Sequence, residues 1–168
     1  MPGKKKPAAN EKRLADTLGY LQKHGLKPED IVELVHKSLN VHPKEEVKVP
    51  LSAFNNEHLG SLETIVKYLR ENLLLTYQQI AELTNRNKIA LAVSYRNARI
   101  KMKDKFPDQV SPYSIPVSIL KDRKLSVLEN IAWYLKNTFG LTYHKIAVLM
   151  NRDDRTIWTV YQRAKKKK

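Results

Sequence analysis

The chain has 168 residues, 42% of them hydrophobic, with 31 Lys and Arg against 17 Asp and Glu, a formal net charge of +14. It contains no Cys, which excludes disulfides and thiolate metal sites, and no apolar run approaches the roughly 20 residues that span a bilayer. So strong a positive balance points to a polyanionic partner, because each phosphate neutralised releases condensed counterions; solubility alone is the plain alternative.

Taken in chain order, residues 1–9 read as a disordered basic arm. Its Lys4, Lys5 and Lys6 have no apolar stretch behind them, unlike a secretory signal. Residues 10–49 read as a helical hairpin and linker, with helices over Asn10–His24 and Pro28–Leu39 joined at Gly25. The string YLQKHGLKPEDIVELV there echoes YLKNTFGLTYHKIAVLM further on, one residue shorter, and Pro43 falls where a third helix would follow. A decayed repeat and a plain hairpin both fit.

The rest of the chain is duplicated. Residues 50–101 align on 116–167 without a gap at a constant offset of 66, with 19 of 52 positions identical, a level far above chance that marks a repeated structural unit. In each copy an arm (VKVPLSAF, YSIPVSIL) leads into an amphipathic helix. The apolar stripes are Leu59, Leu62, Ile65, Leu69, Leu73 and Leu125, Leu128, Ile131, Leu135, Phe139. Ser126 and Glu129 have the spacing of a capping box. A second helix starts at Thr76 or Thr142, both good N-caps, and Gln79 completes a box with Thr76. A turn follows at Asn85-Arg86-Asn87 and Asn151-Arg152-Asp153, since Asn tolerates the left-handed conformation that ends a helix. Asn87 and Asp153 then cap a third, basic helix. Between the copies, the Pro-rich stretch 106–114 reads as a linker.

The strings LTYQQIAELTNRN at 75–87 and LTYHKIAVLMNRD at 141–153, each followed by a basic amphipathic helix, resemble the helix-turn-helix of region 4 of sigma-70-type factors and of LuxR-type regulators. The longer unit with its IPVS-type arm is similar to uncharacterised archaeal helix-turn-helix proteins. The residues fit that pattern physically. Ala81 and Ala147 are small where two helices must touch, Asn85 and Asn151 stand at the sharp turn, and Leu91 and Ile157 are placed to lock the last helix onto the core. The resulting expectation is an all-α chain: a short helical hairpin, then two tandem three-helix helix-turn-helix modules over 50–105 and 115–168.

The resemblance implies a recognition helix in each copy that reads base edges in a major groove. Its reading positions fall on Asn87, Lys88, Ile89, Ala92, Val93 and Arg96, and on Asp153, Asp154, Arg155, Trp158, Thr159 and Gln162. Arg96 and Arg155 suit guanine and Gln162 suits adenine. Arg86, Arg99, Lys101, Arg152, Arg163, Lys165, Lys166, Lys167 and Lys168 suit phosphates, which position without specifying. Two departures stand out. Ile89, Ala92 and Val93 make an apolar reading face, and Asp153 with Asp154 places negative charge near where phosphates sit. Trp158 is open to two roles, a wedge against a base or sugar and a side chain packed on the neighbouring module.

His24, His36, His42, His58 and His144 are scattered without metal-ligand spacing, and no phosphate loop, nucleophile motif or carboxylate pair appears. The expected protein is non-enzymatic and cofactor-free, a transcriptional regulator or chromosome-associated protein that binds double-stranded DNA, cytoplasmic and nucleoid-associated, or nuclear in a eukaryotic source. RNA- or ribosome-associated binding is the alternative. RNA polymerase or another protein is the alternative partner, met through the first module or the N-terminal hairpin; no membrane partner is expected. Extended, a linker of about a dozen residues reaches roughly 35–40 Å, enough to set the two units on successive major-groove faces as a direct repeat.

Overall fold

The computed structural model describes residues 9–32, 46–107 and 111–168. The basic arm expected at 1–9, apart from Ala9, lies outside the described residues, as do residues 33–45 of the expected hairpin and linker. The chain divides into two compact units, Met1–Val41 and His42–Lys168. Among the described residues no helix is long and apolar enough to cross a membrane.

In the first unit, α1 (Ala9–Lys23) ends one residue before His24. Gly25 takes φ 85°, the left-handed conformation that lets a chain leave a helix without a Cβ clash. Residues 28–32 are helical again, and the Asp30 carboxylate accepts the Lys27 N–H at 3.1 Å.

The second unit is mainly helical. It runs β1 (Lys48–Pro50), a 3-10 turn (Leu51–Phe54), α2 (Ser61–Glu71), α3 (Tyr77–Thr84) and α4 (Lys88–Lys101). It then repeats the order as β2 (Ser114–Pro116), a 3-10 turn (Val117–Lys121), α5 (Val127–Phe139), α6 (Tyr143–Leu149) and α7 (Asp154–Lys167). Pro50 and Pro116 close the strands without costing a ladder bond, because the N–H groups that reach across are those of the next residues, Leu51 to the Tyr113 carbonyl and Val117 to the Val47 carbonyl. β1 and β2 pair antiparallel, with Lys48 opposite Pro116, Val49 opposite Ile115 and Pro50 opposite Ser114. A two-stranded ladder this short is marginal alone; here Val49 and Ile115 are buried in the core beneath it.

The caps fall where the side chains allow them. Thr76 accepts the Gln79 N–H at 3.2 Å while the Gln79 carbonyl accepts the Thr76 N–H at 2.8 Å. Ser126 and Glu129 exchange bonds in the same way, at 3.2 and 2.8 Å. α2 starts without a side-chain cap, and Glu63 reaches back to the Gly60 N–H at 2.8 Å instead.

The buried faces of α2 and α5 are displaced from the expected stripes. Leu59 and Leu125 are buried but precede the helices, whereas Leu73 and Phe139 follow or end them and are exposed. Thr64, Ile65, Val66, Lys67 and Leu69 are buried on α2; Ile131, Ala132 and Leu135 are buried on α5. The reason is tertiary. Each helix packs on the last helix of its own copy, and α2 and α5 also pack on each other, so the covered arc is wider than one stripe. Residues of both copies belong to a single hydrophobic core.

Candidate nucleic-acid interface

The turn between α3 and α4 is fixed by Asn85, at φ 51° and ψ 47°. The turn between α6 and α7 has Asn151 at φ 48°. An Asn is the non-Gly residue that accepts this region at least cost. In each turn the next N–H closes back on the small residue of the preceding helix: Arg86 on Ala81 at 3.1 Å and Arg152 on Ala147 at 2.9 Å. Asn87 then caps α4 by accepting the Ile89 and Ala90 N–H groups at 2.8 and 3.4 Å. Asp153 does the same for Arg155 and Thr156 at 2.8 and 3.3 Å. Leu91 and Ile157 anchor the two helices with fully buried side chains, and Ala98 and Ala164 are buried further along.

That inner face leaves an outer face free. On α4 the exposed side chains include Lys88, Ile89, Val93, Arg96, Arg99 and Ile100; Ile89 and Ile100 are 74% and 72% exposed. A shallow groove beside them is lined by Tyr77, Ala92, Tyr95, Arg96, Arg99, Ile100 and Lys103. On α7, Arg155, Trp158 and Arg163 are exposed, while Thr159 and Gln162 are half-buried. Asp153, Arg155, Thr156, Thr159, Val160 and Arg163 line a second groove. The Thr159 hydroxyl donates to the Arg155 carbonyl at 2.7 Å, which leaves its oxygen as an acceptor. Trp158 is 51% exposed and lies outside the core that the two copies share. Residues 88–101 carry four cations and no acid.

The structure separates the cations expected at phosphates into engaged and unengaged groups. Arg152 is half-buried and donates to the Asn56 and Leu59 carbonyls at 3.0 and 2.8 Å, bracing the loop before α2. Lys101 is clamped on both Glu63 oxygens at 2.9 and 2.8 Å. Lys167, its equivalent, grips Glu129 at 2.9 and 2.8 Å. Burial pushes the Glu129 carboxyl up, but bonds from Lys167 and Ser126 outweigh it and hold that group below its ordinary value. Lys168 lies over the Trp133 ring at 5.3 Å, and Arg99 stands 4.0 Å from Glu71. Arg86 is half-buried with its Nε unbonded; burial and then the charge of Arg123 lower its pKa. Among the described residues, the side chains of Lys88, Arg96, Arg155, Arg163, Lys165 and Lys166 have no hydrogen-bond or ion-pair partner.

The two acids at the start of α7 are also accounted for. Asp153 is the cap, and Asp154 meets His144 Nδ1 at 2.9 Å on the surface. Among the described residues, the ion-pair partner of Asp154 is His144 and not the neighbouring Arg152 or Arg155. The sequence reading missed His144 here because α6 and α7 come together only after the turn closes. It also missed Arg123, whose guanidinium donates to the Asn85 carbonyl at 2.9 Å; no local pattern joins positions so far apart.

The chain matches no protein-family model, no curated protein and no solved structure.

Proposed function

We propose that the chain is a non-enzymatic double-stranded DNA-binding protein that uses two helix-turn-helix units, residues 50–105 and 115–168, with α4 and α7 as recognition helices. The observation that carries this reading is that both helices follow an Asn-centred left-handed turn and turn a cationic face to solvent. Arg155 and Gln162 are the base-reading residues of α7, Arg96 that of α4. Lys88, Arg163, Lys165 and Lys166 contact phosphates, with Arg86 and Arg99 at the margin. Arg152, Lys101 and Lys167 hold the protein itself together.

The four cations placed on phosphates, with Arg86 and Arg99 at the margin, set the expected salt dependence. The logarithm of the affinity for a random-sequence duplex should fall with the logarithm of salt with a slope of about −5. Fluorescence anisotropy across a salt series measures it, and a flat response overturns the proposal. Structured RNA is the competitor to include: displacement of duplex by equimolar RNA moves the assignment to RNA. A second reading, protein docking through α4, is favoured by Ile89, Val93 and Ile100, which are exposed and spaced along one face of the helix, since a continuous apolar surface marks a contact site. A partner retained after nuclease treatment and lost on Ile89→Ser supports it; loss of every partner on nuclease treatment opposes it.

A further inference from the structure

We infer that the two copies engage DNA as the two halves of an inverted repeat with unlike half-sites, and not as a direct repeat; this rests on the DNA-binding reading above. The register of the ladder carries it. At the offset of 66, Lys48, Val49 and Pro50 correspond to Ser114, Ile115 and Pro116. The pairs are Lys48 with Pro116, Val49 with Ile115 and Pro50 with Ser114. Exchanging the copies therefore maps the ladder onto itself, with Val49–Ile115 at its centre. Only a local two-fold does that; a translation cannot.

Further contacts exchange in the same way. The Leu51 N–H donates to the Tyr113 carbonyl at 2.9 Å, and its equivalent, the Val117 N–H, donates to the Val47 carbonyl at 2.8 Å. α3 packs on the 3-10 turn of the second copy, and α6 packs on that of the first. The connecting chain cannot release the copies into a translational relation. On one side of it Phe106 is buried, and its carbonyl accepts the Asn72 amide at 2.9 Å. On the other, the Tyr113 ring packs on Phe139 at 5.1 Å.

A two-fold pair of recognition helices matches the two-folds of the duplex, which relate inverted half-sites. The half-sites cannot be alike, because the equivalent outward positions have diverged. Ile89, Val93 and Arg96 on α4 correspond to Arg155, Thr159 and Gln162 on α7. The first set offers methyl groups to thymine and one guanidinium; the second offers a guanine reader and an adenine reader. The half-site under α4 accordingly joins thymines to a guanine, that under α7 joins a guanine to an adenine, and a single chain binds in one orientation.

The test uses the full chain, whose lack of Cys allows single tethering sites. A site is selected from a pool of random duplexes. Ala90→Cys and Thr156→Cys, at equivalent exposed positions, then each carry an iron chelate that cleaves nearby DNA. Cuts from the two tethers should fall in opposite halves of the site and on opposite strands, and reversing one half-site should weaken binding about 10-fold or more. Cuts on the same strand with the same polarity, cuts from one tether only, scattered cuts, or equal affinity for the reversed site overturn the inference while leaving duplex binding standing. Failure to bind any duplex overturns the DNA-binding reading, and the inference with it.

Discussion

Backbone conformation at single residues separates what each copy tolerates. Gly140 takes φ 65° where the chain leaves α5, and its equivalent Leu74 takes φ 55°. A Leu in this region costs about 1–2 kcal/mol, and its side chain, 48% exposed, recovers little by burial. Leu74→Gly should therefore raise stability by about 1 kcal/mol, less than the full strain because Gly gains freedom in the unfolded chain; the urea midpoint reports it. Asn85→Ala should move that midpoint the other way, by about 1 kcal/mol. Asn85 was legible in the sequence because its side chain suits the conformation, whereas nothing about Leu74 announces one. Tyr95 offers a test by pH. Burial, with Glu71 beside it, pushes its hydroxyl up to about 12, and that hydroxyl bonds Glu71 at 3.1 Å. A pKa raised on folding stabilises fully below the unfolded value near 10 and is lost as pH climbs through the folded one. Unfolding followed from pH 9 to 12 should show a decline that Tyr95→Phe makes shallower.

Equivalent helices solve the same packing problem with different chemistry. On α2, Lys67 is fully buried and bonds both Glu71 oxygens at 2.8 and 2.7 Å, while Tyr95 from α4 shares the carboxylate. On α5 the equivalent of Lys67 is Trp133, stacked on Tyr161 with ring centres 5.3 Å apart. Removing one partner of a buried ion pair strands the other charge. Lys67→Ala should cost about 3 kcal/mol, and its cost should shrink in a Glu71→Ala background, a coupling that a double-mutant cycle measures. The helix positions themselves were readable from periodicity and caps. Lys67 was not, because a Lys at that position reads as a solvated residue until α4 and its tyrosine cover it.

At the scale of the molecule, the copies form one core and not two. α3 and α6 each complete their packing on the opposite copy, and each strand of the ladder comes from a different copy. A fragment of roughly 60 residues buries only about 60% of the surface its unfolded chain exposes and is marginal for that reason, and here it would also leave Val49 and one face of α3 uncovered. Residues 46–107 expressed alone should be unfolded or self-associated, as judged by circular dichroism and sedimentation; a stable, folded monomer would contradict the shared core.

The sequence by itself determined the duplication, the two short arms, the order of the helices, the N-caps at Thr76, Asn87, Ser126, Thr142 and Asp153, and the left-handed turns at Asn85 and Asn151. These depend on residues within a few positions of one another, so local propensity and side-chain reach settle them. Tertiary structure alone decided that the arms pair antiparallel across a local two-fold. It likewise decided which cations face solvent and which, like Arg152, Lys101 and Lys167, are spent on carbonyls and carboxylates far along the chain. Those partners meet only when separate helices dock, and no periodicity within one helix records the meeting.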